Sequence, residues 1–170
     1  MKKITMAFVL AFVFSLGFGP LVIHADAKDM NFNLVSMFDK IEVVNVPETE
    51  GVMLGVMDRK GLSIFENGEI ATTSCRAIFD TKKGFQGYSS LIFDDGSTLV
   101  LSWKGPTSNS ADKKYWEYGV AVEYVEGTGR FKGIKGSGTY TGKAPQWDDD
   151  YKAKGFTYYE FSGTYTLPSQ

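Results

Sequence analysis

Gly127-Thr128-Gly129-Arg130-Phe131-Lys132-Gly133-Ile134-Lys135-Gly136-Ser137-Gly138-Thr139-Tyr140-Thr141-Gly142 is the stretch on which the fold of this chain turns. A glycine run suggests a phosphate-binding loop, and the spacing rejects that reading. Both halves run G-x-G-x-x-x-G, which is neither the dinucleotide fingerprint nor a P-loop, because no Gly-Lys-Ser/Thr follows. No helical pattern follows either, so no helix N-terminus offers its amides to a phosphate. From Ile134 onward the residues alternate instead. Ile134, Gly136, Gly138 and Tyr140 share one side; Lys135, Ser137, Thr139 and Thr141 share the other. That is the period of a strand. Glycine weakens a strand, so its presence marks a bulge, a sharp bend or a close backbone approach. Two glycines on the inward side predict a structural corner in a tightly coiled sheet, with a ligand contact as the alternative.

Working outward, the same period recurs on both sides of this stretch. Upstream, Tyr115 to Val125 places Trp116, Tyr118, Val120, Val122 and Tyr124 on one side, with Glu117 and Glu123 on the wet side. One face buried and one solvated is the signature of an antiparallel sheet. Phe85 to Phe93 and Thr98 to Trp103 flank Asp94-Asp95-Gly96-Ser97 as a hairpin, with Leu99, Leu101 and Trp103 on one face. Glu69 to Phe79 puts Ala71, Thr73, Cys75, Ala77 and Phe79 together, and Asn67-Gly68 before it is a tight-turn signal. Leu62 to Phe65, Val52 to Met57 and Ile41 to Val46 read as short strands, with Asp58 to Gly61 as a turn between two of them. Lys28 to Lys40, with Met30, Phe32, Leu34 and Met37, fits a first strand or a short helix. Lys104 to Lys114 is a long polar connection. Downstream, Phe156 to Leu167 aligns Tyr159, Phe161, Gly163, Tyr165 and Leu167 and turns Glu160 and Ser162 away. With no amphipathic helix after the N-terminal segment, these short strands indicate an all-β barrel or sandwich. A closed barrel leaves no exposed edge and fits the glycine corners.

The N-terminus carries an export signal. Lys2 and Lys3 precede the uncharged run Ala7 to Leu16, and Ala25-Asp26-Ala27 is a small-residue cleavage site. Residues 1–27 are therefore expected to be a signal peptide, and 28–170 a single domain, exported to the periplasm or beyond the cell. The apolar run is interrupted by Gly17, Gly19 and Pro20, short of the roughly 20 apolar residues a spanning helix needs. Stable membrane insertion after cleavage is not expected. His24, the single histidine, lies inside the signal, which excludes Ser-His-Asp and Cys-His catalysis and His-ligated metals from the exported chain. The single cysteine, Cys75, has no internal disulfide partner and reads as a small buried hydrophobe. Losing Lys2, Lys3 and Asp26 from 18 basic and 20 acidic residues leaves 16 and 19, a net charge of −3. No basic patch invites nucleic acid. Asp148-Asp149-Asp150 lacks calcium-loop spacing and reads as a solvated loop. No metal and no cofactor are expected.

The phrase GTGRFKGIKGSGTYTG resembles the glycine-rich motif of the allene oxide cyclase and dirigent barrel superfamily, within the wider calycin group. Small secreted bacterial proteins of unknown role carry the same motif. Gly87 to Gly105 fits the same pattern of paired strands around an acidic-glycine turn, so the resemblance spans roughly residues 85–142. It implies an eight-stranded antiparallel closed barrel, often trimeric, which adds a homo-oligomer to the expected partners. No catalytic position of that superfamily maps onto this chain residue by residue, so the catalytic residues are unknown. The inward aromatics Trp103, Trp116, Tyr118, Tyr140, Tyr159 and Phe161 are the candidate ligand-binding set, and Tyr159 and Glu160 the polar groups to substitute first. Three functions stay open: a barrel binding a small apolar or aromatic molecule, a cofactor-free isomerase or cyclase, and a non-catalytic interaction barrel. An interior cavity of a few hundred Å³ would favour the first two, and an ionisable group converging on it the second.

Overall fold

The computed structural model describes residues 26–50, 52–146 and 155–169. Its strands are β1 (Lys28–Asn45), β2 (Met53–Phe65), β3 (Ile70–Asp80), β4 (Gly84–Phe93), β5 (Thr98–Gly105), β6 (Thr107–Asn109), β7 (Tyr115–Gly127), β8 (Lys135–Pro145) and β9 (Thr157–Thr166). All pairings are antiparallel. The order β5-β4-β3-β2-β1-β9-β8-β7 is closed by β5 against β7, giving an eight-stranded barrel. β6 is β5 resumed after Gly105-Pro106, and it pairs further along the same edge of β7. Proline has no N–H to give a ladder, which accounts for the interruption. Among the described residues no helix is long and apolar enough to cross a membrane.

The strict alternation of the sequence becomes an inside and an outside. In β3, Ala71, Thr73, Cys75, Ala77 and Phe79 are buried, and the residues between them are exposed. In β7, Tyr118, Val120, Val122 and Tyr124 are buried. One end of the barrel is closed by the Gly127–Ile134 connection, where a 3₁₀ turn at Gly129–Phe131 lowers Phe131 and then Ile134 into the core. Phe131 packs on Phe93, whose ring also meets Phe65. Arg130 lies across Phe93 and Phe131 and pairs with Glu69 and Asp95, so one side chain joins two hairpin turns to this connection.

The glycines mark where aromatic rings lie flat against the wall. A Cβ on Gly138 would stand 2.7 Å from the Phe161 ring, one on Gly142 2.8 Å from that of Tyr159, and one on Gly87 2.9 Å from that of Trp103. Each of these three rings is matched by a glycine on a neighbouring strand, where a Cβ would crowd both the ring and a backbone carbonyl of the adjacent strand. Gly136 differs from the inward expectation. It is exposed at the start of β8 with φ +147°, where a Cβ would press on the β9 backbone, 2.8 Å from Tyr165 Cα.

The N-terminal half departs from the short-strand reading. Lys28 to Asn45 is one strand, and Met30, Phe32, Leu34 and Ser36 all point inward. A register shift between Phe38 and Lys40 bends it, after which Ile41 and Val43 take the inner side. Asp58 to Gly61 is no turn. Strand β2 runs straight through it because Arg59 faces the interior, and Gly61 lets the Ser36 backbone of β1 approach. Residues 1–25 and the Asp148-Asp149-Asp150 run lie outside the described residues.

Candidate functional site

The interior is filled by aromatic rings in layers. Towards the end sealed by Phe131, Phe161 stacks on Phe32 at 4.6 Å and meets Tyr140 at 5.1 Å between centroids. Towards the opposite end, Phe79 stacks on Phe85 at 5.3 Å, and Phe85 meets Tyr118 and Trp116. Between these layers sits a charge. Arg59 is 4% exposed, and its guanidinium lies 4.9 Å from the ring centroid of Tyr159, 5.6 Å from that of Trp103 and 5.9 Å from that of Phe38. Such cation–π contacts recover part of what burial takes from a cation.

The polar contacts are few. Arg59 Nη1 donates to the Tyr159 hydroxyl. The Trp103 indole N–H donates to Ser89 Oγ at 3.0 Å, and Cys75 Sγ lies 3.2 Å from the same oxygen. The arginine ion pairs among the described residues belong to Arg76 and Arg130, so no carboxylate answers Arg59. Burial opposes its charge, while the tyrosine and cysteine atoms around it favour it, and the net effect holds its pKa above the ordinary value. The guanidinium stays charged. Burial raises the pKa of Tyr118 and Tyr140 well above the usual phenol range, and that of Tyr159 too, where Arg59 offsets part of it. All three are neutral phenols at neutral pH. Arg59 Nε is buried without a hydrogen-bond partner, while the Tyr118 hydroxyl faces that of Tyr159 and the Tyr140 hydroxyl faces Ser89 without the geometry of a full hydrogen bond.

Of the six candidate ligand-binding aromatics, the fold brings four together. Trp103, Tyr118, Tyr140 and Tyr159 line one interior cavity with Leu34, Arg59, Ser89 and Val120. Trp116 stands beyond it beside Phe85, and Phe161 belongs to the stacked layer on the other side. Sequence reasoning missed Arg59, because a charged residue between Asp58 and Lys60 reads as surface. Its phase was the available signal, since Met57, Arg59 and Ser63 sit on the same side of one strand. The cavity itself is about 10 Å³, roughly one water molecule.

The larger concavity is on the outer wall. Two adjacent rows of outward side chains cross β2, β3, β4, β5 and β7: Val56-Ile78-Gln86-Lys104-Ala121 and Asp58-Arg76-Tyr88-Ser102-Glu123. Between them lies a groove of about 550 Å³. Ala121 and Ser102 are its short side chains and leave the space, while Val56, Ile78 and Tyr88 give it an apolar flank. Arg76 and Asp58, 3.7 Å apart, stand at one end, and Lys104 and Glu123 at the other. Among the described residues no group of His, Cys, Asp and Glu is placed to hold a metal.

The class these features define is an eight-stranded antiparallel barrel with a packed interior and a grooved outer wall. No family and no curated protein matches the chain. Among solved structures it is similar to a pterocarpan synthase dirigent protein, at 14% identity and a TM-score of 0.48, over 92% of this chain and 100% of that one. That likeness carries no argument about activity or site.

Proposed function

We propose that this protein is an exported, non-catalytic binding barrel that takes a small apolar or aromatic molecule in its outer groove. The observation that carries this reading is the contrast in volume. The interior cavity of about 10 Å³ admits no organic molecule, whereas the groove of about 550 Å³ falls in the range of small-molecule sites. The packed interior acts as the rigid scaffold, and the charges of Arg76, Asp58, Lys104 and Glu123 orient a polar substituent at either end. Titration with 1-anilinonaphthalene-8-sulfonate, an aromatic anion of suitable size, tests the reading. Saturable binding at one dye per chain is expected, weakened at least tenfold by Ala121→Trp, which fills the groove from an exposed position. Unsaturable binding, or an affinity unchanged in that variant, would overturn it.

A second surface supports self-association as well. Ile92, Thr72, Leu62, Val35 and Tyr158 form a continuous outward row across β4, β3, β2, β1 and β9, with Ile64 opposite Ile70 beside it. Leu62, Ile64, Ile70, Ile92 and Tyr158 are all more than 40% exposed, and contiguous apolar patches of this kind mark association surfaces. Sedimentation velocity is expected to show a homo-oligomer that Leu62→Lys dissociates. A monomeric wild-type protein at tens of micromolar would contradict it.

A further inference from the structure

We propose that the ligand of the outer groove is a small organic acid, a monocarboxylate with an aromatic or apolar body, whose carboxylate docks on Lys104 and Gln86. The inference rests on the groove being the binding site. Lys104 is set apart from the other cations of the outer wall. Lys40, Lys60, Arg76 and Lys143 each stand within a strand, and each is met by a carboxylate, those of Glu42, Asp39, Asp58 and Glu117 in turn, at 2.6–3.7 Å. Lys104 also stands within a strand and is exposed, yet among the described residues its ammonium has no ion-pair or hydrogen-bond partner. Directly opposite it on β4 is Gln86, also exposed, whose amide is likewise without a partner among the described residues. Directly opposite residues of paired strands have Cβ atoms about 5 Å apart, so an ammonium and an amide reach the same point above the wall. Both side chains line the groove.

The chemistry of this pair selects the polar group of the ligand. An ammonium only donates, and a side-chain amide has an N–H to give. A carboxylate has two oxygens and accepts one bond from each, and charge-assisted bonds of this kind are the stronger ones. On the other side of Lys104 stands Ala121, directly opposite on β7, whose methyl group leaves room for the carboxylate. The neighbouring charges limit the ligand to one negative charge. Glu123 lies diagonally across from Lys104, opposite Ser102, and its carboxylate selects against dicarboxylates and phosphate monoesters. At the far end Arg76 is already met by Asp58 and offers no free cation. Between the two ends Tyr88, Ile78 and Val56 are all exposed, an apolar surface that an aromatic or alkyl body covers.

A matched series titrated calorimetrically at neutral pH reads the polar group while the body is held constant: 4-phenylbutanoate, 4-phenylbutanol and 4-phenylbutylamine. The acid is expected to bind about tenfold tighter than the alcohol, and the amine no tighter than the alcohol. Because the docking point is exposed, the advantage of the acid is expected to shrink as salt is raised. Lys104→Met keeps an unbranched side chain and removes the charge, and is expected to bring acid and alcohol within about twofold of each other. Equal affinities for acid and alcohol in the wild-type protein, or an acid preference untouched in Lys104→Met, would overturn the inference. The neutral alcohol reports on the groove alone. Its binding, weakened by Ala121→Trp, supports the groove whichever polar group is preferred. Should none of the three bind, the groove reading fails and this inference with it.

Discussion

At the scale of single residues, the barrel is built by pairing inward rings with glycines, and this makes the glycines unequal. A Cβ on Gly138 would meet the Ser162 carbonyl oxygen and the Phe161 ring, whereas one on Gly119 has nothing within 4 Å. Gly138→Ala is therefore expected to lose about 1–3 kcal/mol by forcing the ring and the β9 backbone aside. Gly119→Ala, at an ordinary φ, is expected to gain about 0.4–1 kcal/mol by restricting the unfolded chain. Urea denaturation of the two variants separates them; equal losses would remove the ring-to-glycine argument. The tyrosines carry a pH prediction. Burial raises the folded-state pKa of Tyr118, Tyr124, Tyr140 and Tyr159 above the unfolded value near 10. Above pH 10 the unfolded state thus binds fewer protons, so their contribution is fully present below pH 10 and is lost as pH rises through the folded values. Absorbance at 295 nm is expected to show these four ionising only as the protein unfolds, and their smooth titration in a folded barrel would contradict that.

At the scale of elements, the strands of the second half were legible because their buried faces are apolar and unbroken, as in β7. The glycine stretch was legible only from Lys135 onward. Its first half folds into a 3₁₀ turn that seals the barrel end, and no periodicity announces three residues of that kind. The region from Asp58 to Gly61 was misread for a physical reason. Three charged residues and a glycine form a polar cluster, and only the closed barrel, with rings to lie against, makes an inward arginine tolerable. The candidate site was legible in its aromatics and hidden in its charge. The sealed end yields its own prediction. Arg130→Ala breaks pairs with Glu69 and Asp95 and uncovers the rings of Phe93 and Phe131. With the side chain 40% exposed, the ion pairs are partly screened, and a loss of about 1 kcal/mol is expected. Part of that loss should vanish in high salt; an unaltered melting midpoint would mean the clasp contributes nothing.

At the scale of the molecule, closure of β5 on β7 leaves a barrel whose function must be read from its two surfaces. The inner one is occupied by layered rings around one buried cation, and the outer one carries the groove and an apolar row. An aromatic-rich composition fits a hollow binding barrel and a filled one equally well, so sequence alone left that choice open. The choice depends on how the rings pack, which the glycine matches and the residual cavity express. The most direct measurement is native mass spectrometry of the protein purified gently from the cells that make it, beside the Ala121→Trp variant. The account predicts a small organic adduct on the wild-type chain that is lost on denaturation and absent from the variant. An adduct retained in full by Ala121→Trp, or a wild-type chain with no organic adduct, would contradict it.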